Sequence, residues 1–219
     1  ERTIKATHSI QMLSHPRTVI ASIEGNPFQS FVRDAADAIG LDYVVNVVLN
    51  PNGDLVEAAC GGHRAVHDAL SESALRESAY PVDRPVDILI AHVPPSKSRN
   101  LYQASRAVTY QALNPRTALR PGAPIILVAR LDDGFGPGLG ERRFGDALSG
   151  ASSPHEVIAR LSGSELEGGT QRAYVLAEAV ARHPVIVCGA NDPSIVREAG
   201  LIPADTLDKA HEIALSFVN

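Results

Sequence analysis

Three short runs of branched apolar residues punctuate the second half of the chain: VDILIA at 86–91, PIILVA at 124–129 and PVIVCG at 184–189. A strand that is apolar at nearly every position has no polar face to offer water, so it needs cover on both sides. The intervening stretches carry helical spacing, with helices expected at 100–113, 141–148, 154–161 and 170–182 and an amphipathic one at 204–217. Strands alternating with helices meet the need for cover in one way, as a parallel sheet layered by helices. The predicted fold is therefore α/β, a mostly parallel sheet flanked by helices on both faces. Ligands of such sheets collect at the carboxyl ends of the strands, which directs attention to the segments after Ala91, Arg130 and Gly189.

The first half reads differently. Residues 27–39 place Phe28, Phe31, Val32, Ala35 and Ile39 on one helical stripe, and Gly40 is a suitable stop. Residues 43–49 (YVVNVVL) read as a buried strand, the turn Asn50-Pro51-Asn52-Gly53-Asp54 follows, and 55–59 read as the antiparallel partner. Gly61-Gly62 then opens a helix to about Glu77. The expected organisation is an N-terminal segment, 1–26, cut from a larger domain, followed by an α/β domain over 27–219 with this hairpin near its start.

Composition excludes several function classes. A chain of 219 residues with 44% apolar and 21% charged residues is an ordinary globular sequence with a core. Its apolar runs are too short to cross a bilayer, and the first residues lack a secretory pattern, so the cytoplasm is expected. A net charge of -5 offers no basic excess for nucleic acid, and without tryptophan there is no evident stacking platform. Cys60 and Cys188 lie far apart with no CxxC, so no disulfide framework is expected. Lysines stand only at 5, 97 and 209, which makes arginine the residue for anion clamps.

Four segments carry chemistry-bearing residues. Asn100-Leu101-Tyr102-Gln103-Ala104-Ser105-Arg106 brings a phenol, an amide and a guanidinium onto one helical flank just after a strand. That flank is either a polar helix face or a site for a small carboxylate, held in bidentate fashion by arginine. Residues 132–140 hold four glycines and form either a surface loop or a ligand cover; the spacing fits neither a dinucleotide fingerprint nor a P-loop. Cys60 with His63 and His67 has a metal-site look, but no glutamate lies between the histidines, and a helix-start histidine and a packed one are the default. His8 and His15 stand in an unpatterned opening, and His92 follows a strand end.

Read together, these stretches resemble the nickel-dependent lactate racemase family, whose enzymes use a nickel-pincer nucleotide. The resemblance spans nearly the whole chain: Thr3, Ile4 and His8; Glu24-Gly25-Asn26-Pro27; 42–50 with its NVVLN block; Asn100-Leu101-Tyr102-Gln103; 121–126; and Asp133-Gly134 with Glu141. It implies a hydride-transfer racemisation of a 2-hydroxy acid at a site between two domains. Such a route suits an acid whose C2–H is too weakly acidic for easy deprotonation, because the intermediate ketoacid can be reduced on either face.

Carried onto this chain, the resemblance makes His8 the metal ligand. Tyr102 and Gln103 become the pair lining the substrate and cofactor site, and Asp133, Gly134 and Gly136 become the cofactor-side loop. Arg106 stands where the family has a lysine, which keeps the charge but alters reach and geometry, implying a different carboxylate pocket. Thr170-Gln171 falls where a tryptophan-containing segment is expected. The acid/base histidines and the cofactor-bearing lysine belong to an N-terminal half not matched here, and Lys5 lacks the glycine-rich context. The chain therefore reads as the C-terminal part of a racemase, needing an N-terminal domain or a second chain to complete the site. The competing reading is a non-catalytic anion- or nucleotide-binding α/β domain.

Overall fold

A computed structural model describes residues 7–163 and 165–218. Thr3, Ile4 and Lys5, which entered the sequence argument, lie outside the described residues. In chain order the elements begin with α1 (Ile10–Leu13), α2 (Pro27–Ala38), β1 (Val44–Leu49), β2 (Leu55–Gly61) and α3 (His63–Ser78). They continue with β3 (Leu89–His92), α4 (Pro95–Ser98), α5 (Leu101–Ala112), β4 (Ile125–Val128) and α6 (Leu139–Leu148). The last are α7 (Pro154–Ser162), α8 (Thr170–Val180), β5 (Val185–Cys188), α9 (Pro193–Glu198), β6 (Ile202–Ala204) and α10 (Leu207–Leu215). Two compact units result. Among the described residues, one joins those up to Leu13 with those from Arg84 onward, and the other is Ser14–Asp83.

The larger unit is built on a parallel sheet in the order β3-β4-β5-β6. Its pleat sorts the apolar runs by a period of two. Ile125, Leu127, Val185 and Val187 face one cluster, shared with Leu101 and Val108 of α5, Phe144 and Leu148 of α6, Leu176 of α8 and Val196 of α9. Ile126, Ile186 and Cys188 face the other, where α10 contributes Ala210 and Ala214. Both faces are covered, as continuous apolar strands demand. The strand order never reverses, so this sheet has no crevice of the kind a doubly wound sheet opens where its order switches.

In the smaller unit α2 is capped by Asn26, whose Oδ1 accepts from the Phe28 and Gln29 amides while its Nδ2 donates to the Val19 and Ser22 carbonyls. Gly40 ends that helix at φ +68°, a conformation open to glycine without strain. The hairpin β1–β2 pairs Val44 with Gly61 and Val48 with Glu57, and α3 packs on it through Val48, Val66 and Leu70.

The expectation of a buried first strand is corrected here. Only Val48 of β1 is buried, while Tyr43, Val45, Val47 and Leu49 are exposed. A two-stranded ribbon with one helix on one face leaves its alternate residues without cover among the described residues. The stripe on α2 is likewise present but bare, with Phe31, Val32 and Ile39 exposed.

Candidate functional site

Helix α5 begins under tight local control. Asn100, almost fully buried, accepts the Gln103 amide at 2.9 Å through its side chain and donates through Nδ2 to Glu141 Oε1 at 3.3 Å. The Leu101 amide donates to the Gly134 carbonyl at 2.8 Å. The first-turn Gln103 amide is therefore satisfied from within, and any anion site here rests on side chains rather than on the open helix end. Replacing Asn100 by alanine is expected to cost about 1–2 kcal/mol in urea unfolding, because it removes both the cap and the tie to Glu141.

The structure brings Tyr102, Gln103 and Arg106 together on one partly buried flank of α5, as the spacing required. The Tyr102 ring meets the fully buried Phe144 edge-on at 5.5 Å, and Phe135 meets the same ring at 6.0 Å. Gln103 Oε1 and Arg106 Nε are buried with no hydrogen-bond partner. Sequence reasoning missed a further member, Arg172 on α8. Its Nη2 donates to Thr109 Oγ1 at 3.2 Å, the Thr109 hydroxyl donates to the Arg106 carbonyl at 3.3 Å, and Arg172 Nε is also buried without a partner. Burial, then repulsion by the neighbouring Arg106, pushes the Arg172 guanidinium down to about 10, still charged at neutral pH. The one available signal was its position beside Thr170-Gln171, already marked as divergent. Those two residues serve the start of α8: Gln171 Oε1 accepts the Gly169 amide and Thr170 Oγ1 donates to the Glu167 carbonyl.

The glycine loop is well tied. Asp133 binds Arg99 through both carboxylate oxygens at 2.9 and 3.1 Å, and this pairing holds the carboxyl below its ordinary range. Glu141 Oε2 accepts the Gly138 amide at 2.7 Å. Gly136 has φ +118°, and a β-carbon there would collide with the Glu141 side chain. Just before the loop Leu131 adopts φ +53°, a costly conformation for a branched residue, held by burial and by its amide on the Ser98 carbonyl. Asp133, Gly134 and Gly136 border a depression of about 430 Å³ together with Arg142, Arg143 and Ile195.

A cavity of about 520 Å³ does lie at the carboxyl edge of the sheet, lined by His92, Arg99, Arg130, Asp132, Cys188 and Gly189 among others. Its arginines are already neutralised, Arg130 by Asp132 at 3.0 Å and Arg99 by Asp133. Burial pushes the Cys188 thiol up, away from the reactive thiolate. Neither Tyr102, Gln103 nor Arg106 lines it. The charge-balanced edge and the α5 flank are thus distinct, and on the flank neither Arg106 nor Arg172 has a carboxylate partner among the described residues.

His8 is half-buried, with its Nδ1 2.9 Å from the Thr7 hydroxyl. No group of three or more metal-ligating side chains occurs among the described residues. In the smaller unit His63 is paired with Asp37 at 2.7 Å, His67 accepts from Arg33 at 2.8 Å, and Arg64 bridges Asp34 and Asp37 in a surface network. Both cysteines are free. No helix among the described residues is long and apolar enough to cross a membrane.

The fold and flank define an α/β chain carrying a cationic, partly dry patch beside a glycine-rich loop. No protein-family model matches the sequence. The lactate racemase of Thermoanaerobacterium thermosaccharolyticum is 26% identical over 218 residues, covering 99% of this chain and 50% of that protein. The lactate racemase of Lactiplantibacillus plantarum is 27% identical over 219 residues, covering 97% of this chain and 49% of its own length. The solved lactate racemase apoprotein from T. thermosaccharolyticum superposes with a TM-score of 0.84, covering 99% of this chain and 51% of that one. A Thermotoga maritima protein shares the fold alone, with a TM-score of 0.61 at 12% identity over 82% of this chain and 47% of its own. The chain is a homologue of the lactate racemases, and it spans about half the length of the curated relatives it matches.

Proposed function

We propose that this chain is the C-terminal part of a racemase or epimerase acting on a 2-hydroxy acid, with a nickel-pincer nucleotide as cofactor and one wall of an interdomain site supplied by the α5 flank. The observation that carries the reading is the pair of buried, unpartnered groups, Gln103 Oε1 and Arg106 Nε, on the segment shared with the racemases. Such groups are costly unless a ligand satisfies them.

The residues present fit this cofactor in a specific sense. With no three-ligand cluster among the described residues, they cannot hold a bare nickel ion. A lone histidine suits a metal that arrives with its other donors in place, and Thr7 fixes one ring nitrogen of His8 as metal-bound histidines generally require. His8 would take the nickel, and Asp133, Gly134 and Gly136 would line the cofactor side. When bound, the group supplies an acceptor for the C2 hydride. Arg106 would grip the substrate carboxylate, Gln103 Oε1 would accept from the C2 hydroxyl, and Tyr102, braced by Phe144, would orient the ligand and exclude water. The proton-transferring histidines and the anchoring lysine would come from the remaining half of the protein, on the same or a second chain.

The test uses the full-length protein isolated from cells able to load it. About one nickel per chain together with interconversion of D- and L-lactate or a related acid, followed by chiral chromatography, is the expected result. Binding of hydroxy acids with neither nickel nor racemisation would instead identify a non-catalytic anion-binding domain.

A further inference from the structure

The uncompensated charge on the α5 flank is double. Arg106 and Arg172 lie close enough to repel one another, and among the described residues neither is paired with a carboxylate. Each arginine holds a buried Nε–H with no acceptor, and Gln103 Oε1, one turn before Arg106 on α5, is buried with no donor. The Arg172 fork is fixed in place by Thr109, itself almost fully buried, so the second cation is built in rather than stray.

We infer that Arg106 and Arg172 together form a subsite for a doubly anionic ligand, a 2-hydroxy acid carrying a second carboxylate, with Gln103 taking the hydroxyl. Two carboxylates and one hydroxyl match the two orphan donors and the one orphan acceptor on the page, and they bring the local charge to zero. A monocarboxylate satisfies one guanidinium and leaves the other buried and unpaired. This rests on the racemase reading and narrows its substrate class.

Titration calorimetry on the full-length protein compares malate, lactate and inorganic phosphate at neutral pH. Malate should bind at least about tenfold more tightly than lactate, the scale of one charge-assisted hydrogen-bonded pair. R172Q should weaken malate by about 10–100-fold while leaving lactate within about threefold. T109V keeps the guanidinium but frees it, and it should weaken malate alone by about 3–10-fold, which keeps the inference testable if R172Q does not fold. Equal affinity for malate and lactate in the wild type, or equal losses for both acids in T109V, overturns the subsite. Phosphate binding more tightly than malate also overturns it, because the dianion is then a phosphate. Racemisation of lactate without any malate preference refutes the subsite and leaves the racemase reading standing. Malate preference without racemisation of either acid supports the subsite and refutes the racemase.

Discussion

Replacing Arg106 by alanine in the full-length protein should lower kcat/KM for hydroxy-acid racemisation by about two to three orders of magnitude and leave thermal stability unchanged or slightly higher. The first half follows from removing the proposed charge-assisted contact to the substrate carboxylate, worth about 3–4 kcal/mol in a partly dry site and so roughly a factor of ten for each 1.4 kcal/mol. The second half follows from the structure. Arg106 makes no ion pair among the described residues, so its loss orphans no carboxylate and relieves its repulsion of Arg172. A guanidinium with a purely structural role gives the opposite pattern, lost stability with intact turnover. Steady-state kinetics beside a calorimetric melt separates the two.

The second large effect lies in the core. Phe144 is fully buried and takes the edges of two rings, Tyr102 and Phe135. Phe144→Ala should cost about 3–5 kcal/mol in urea unfolding, the lost transfer free energy plus the cavity left under α5. It also removes the wall against which Tyr102 stands. The milder Phe144→Leu, which fills most of the volume, should therefore weaken substrate binding more than its small loss of stability implies, a split visible by comparing KM with the unfolding midpoint.

The legible parts of the fold were those where one local rule acts alone. Residues 124–129 and 184–189 announce buried parallel strands because every residue is apolar, and the sheet places them at its centre with Ile125, Ile126, Ile186 and Val187 fully buried. The helices starting near residues 27 and 100 were legible from their spacing alone, and the structure adds the reason they start there, the side-chain caps of Asn26 and Asn100. The strand β6 was not legible, since its three residues include Pro203 and their pairing with β5 depends on tertiary contact. Strand β1 was misread in burial because an apolar run specifies a need for cover and not its presence. At the candidate site, helical spacing was enough to place Tyr102, Gln103 and Arg106 together. Arg172 is sixty-six positions beyond Arg106, and its approach depends on how α8 packs against α5, which no window of sequence contains.

One backbone contact joins these regions. Gly169, at φ +110°, sits against the Gly140 carbonyl so closely that a β-carbon at position 169 would overlap it. Gly140 opens the helix that follows the glycine loop, and Gly169 immediately precedes the helix that bears Arg172. The helix after the loop and the helix bearing Arg172 thus meet main chain to main chain, with no side chain between them to absorb slack. Displacement of one should drag the other, so the proposed preference for a second carboxylate is expected to respond to residues that never touch it.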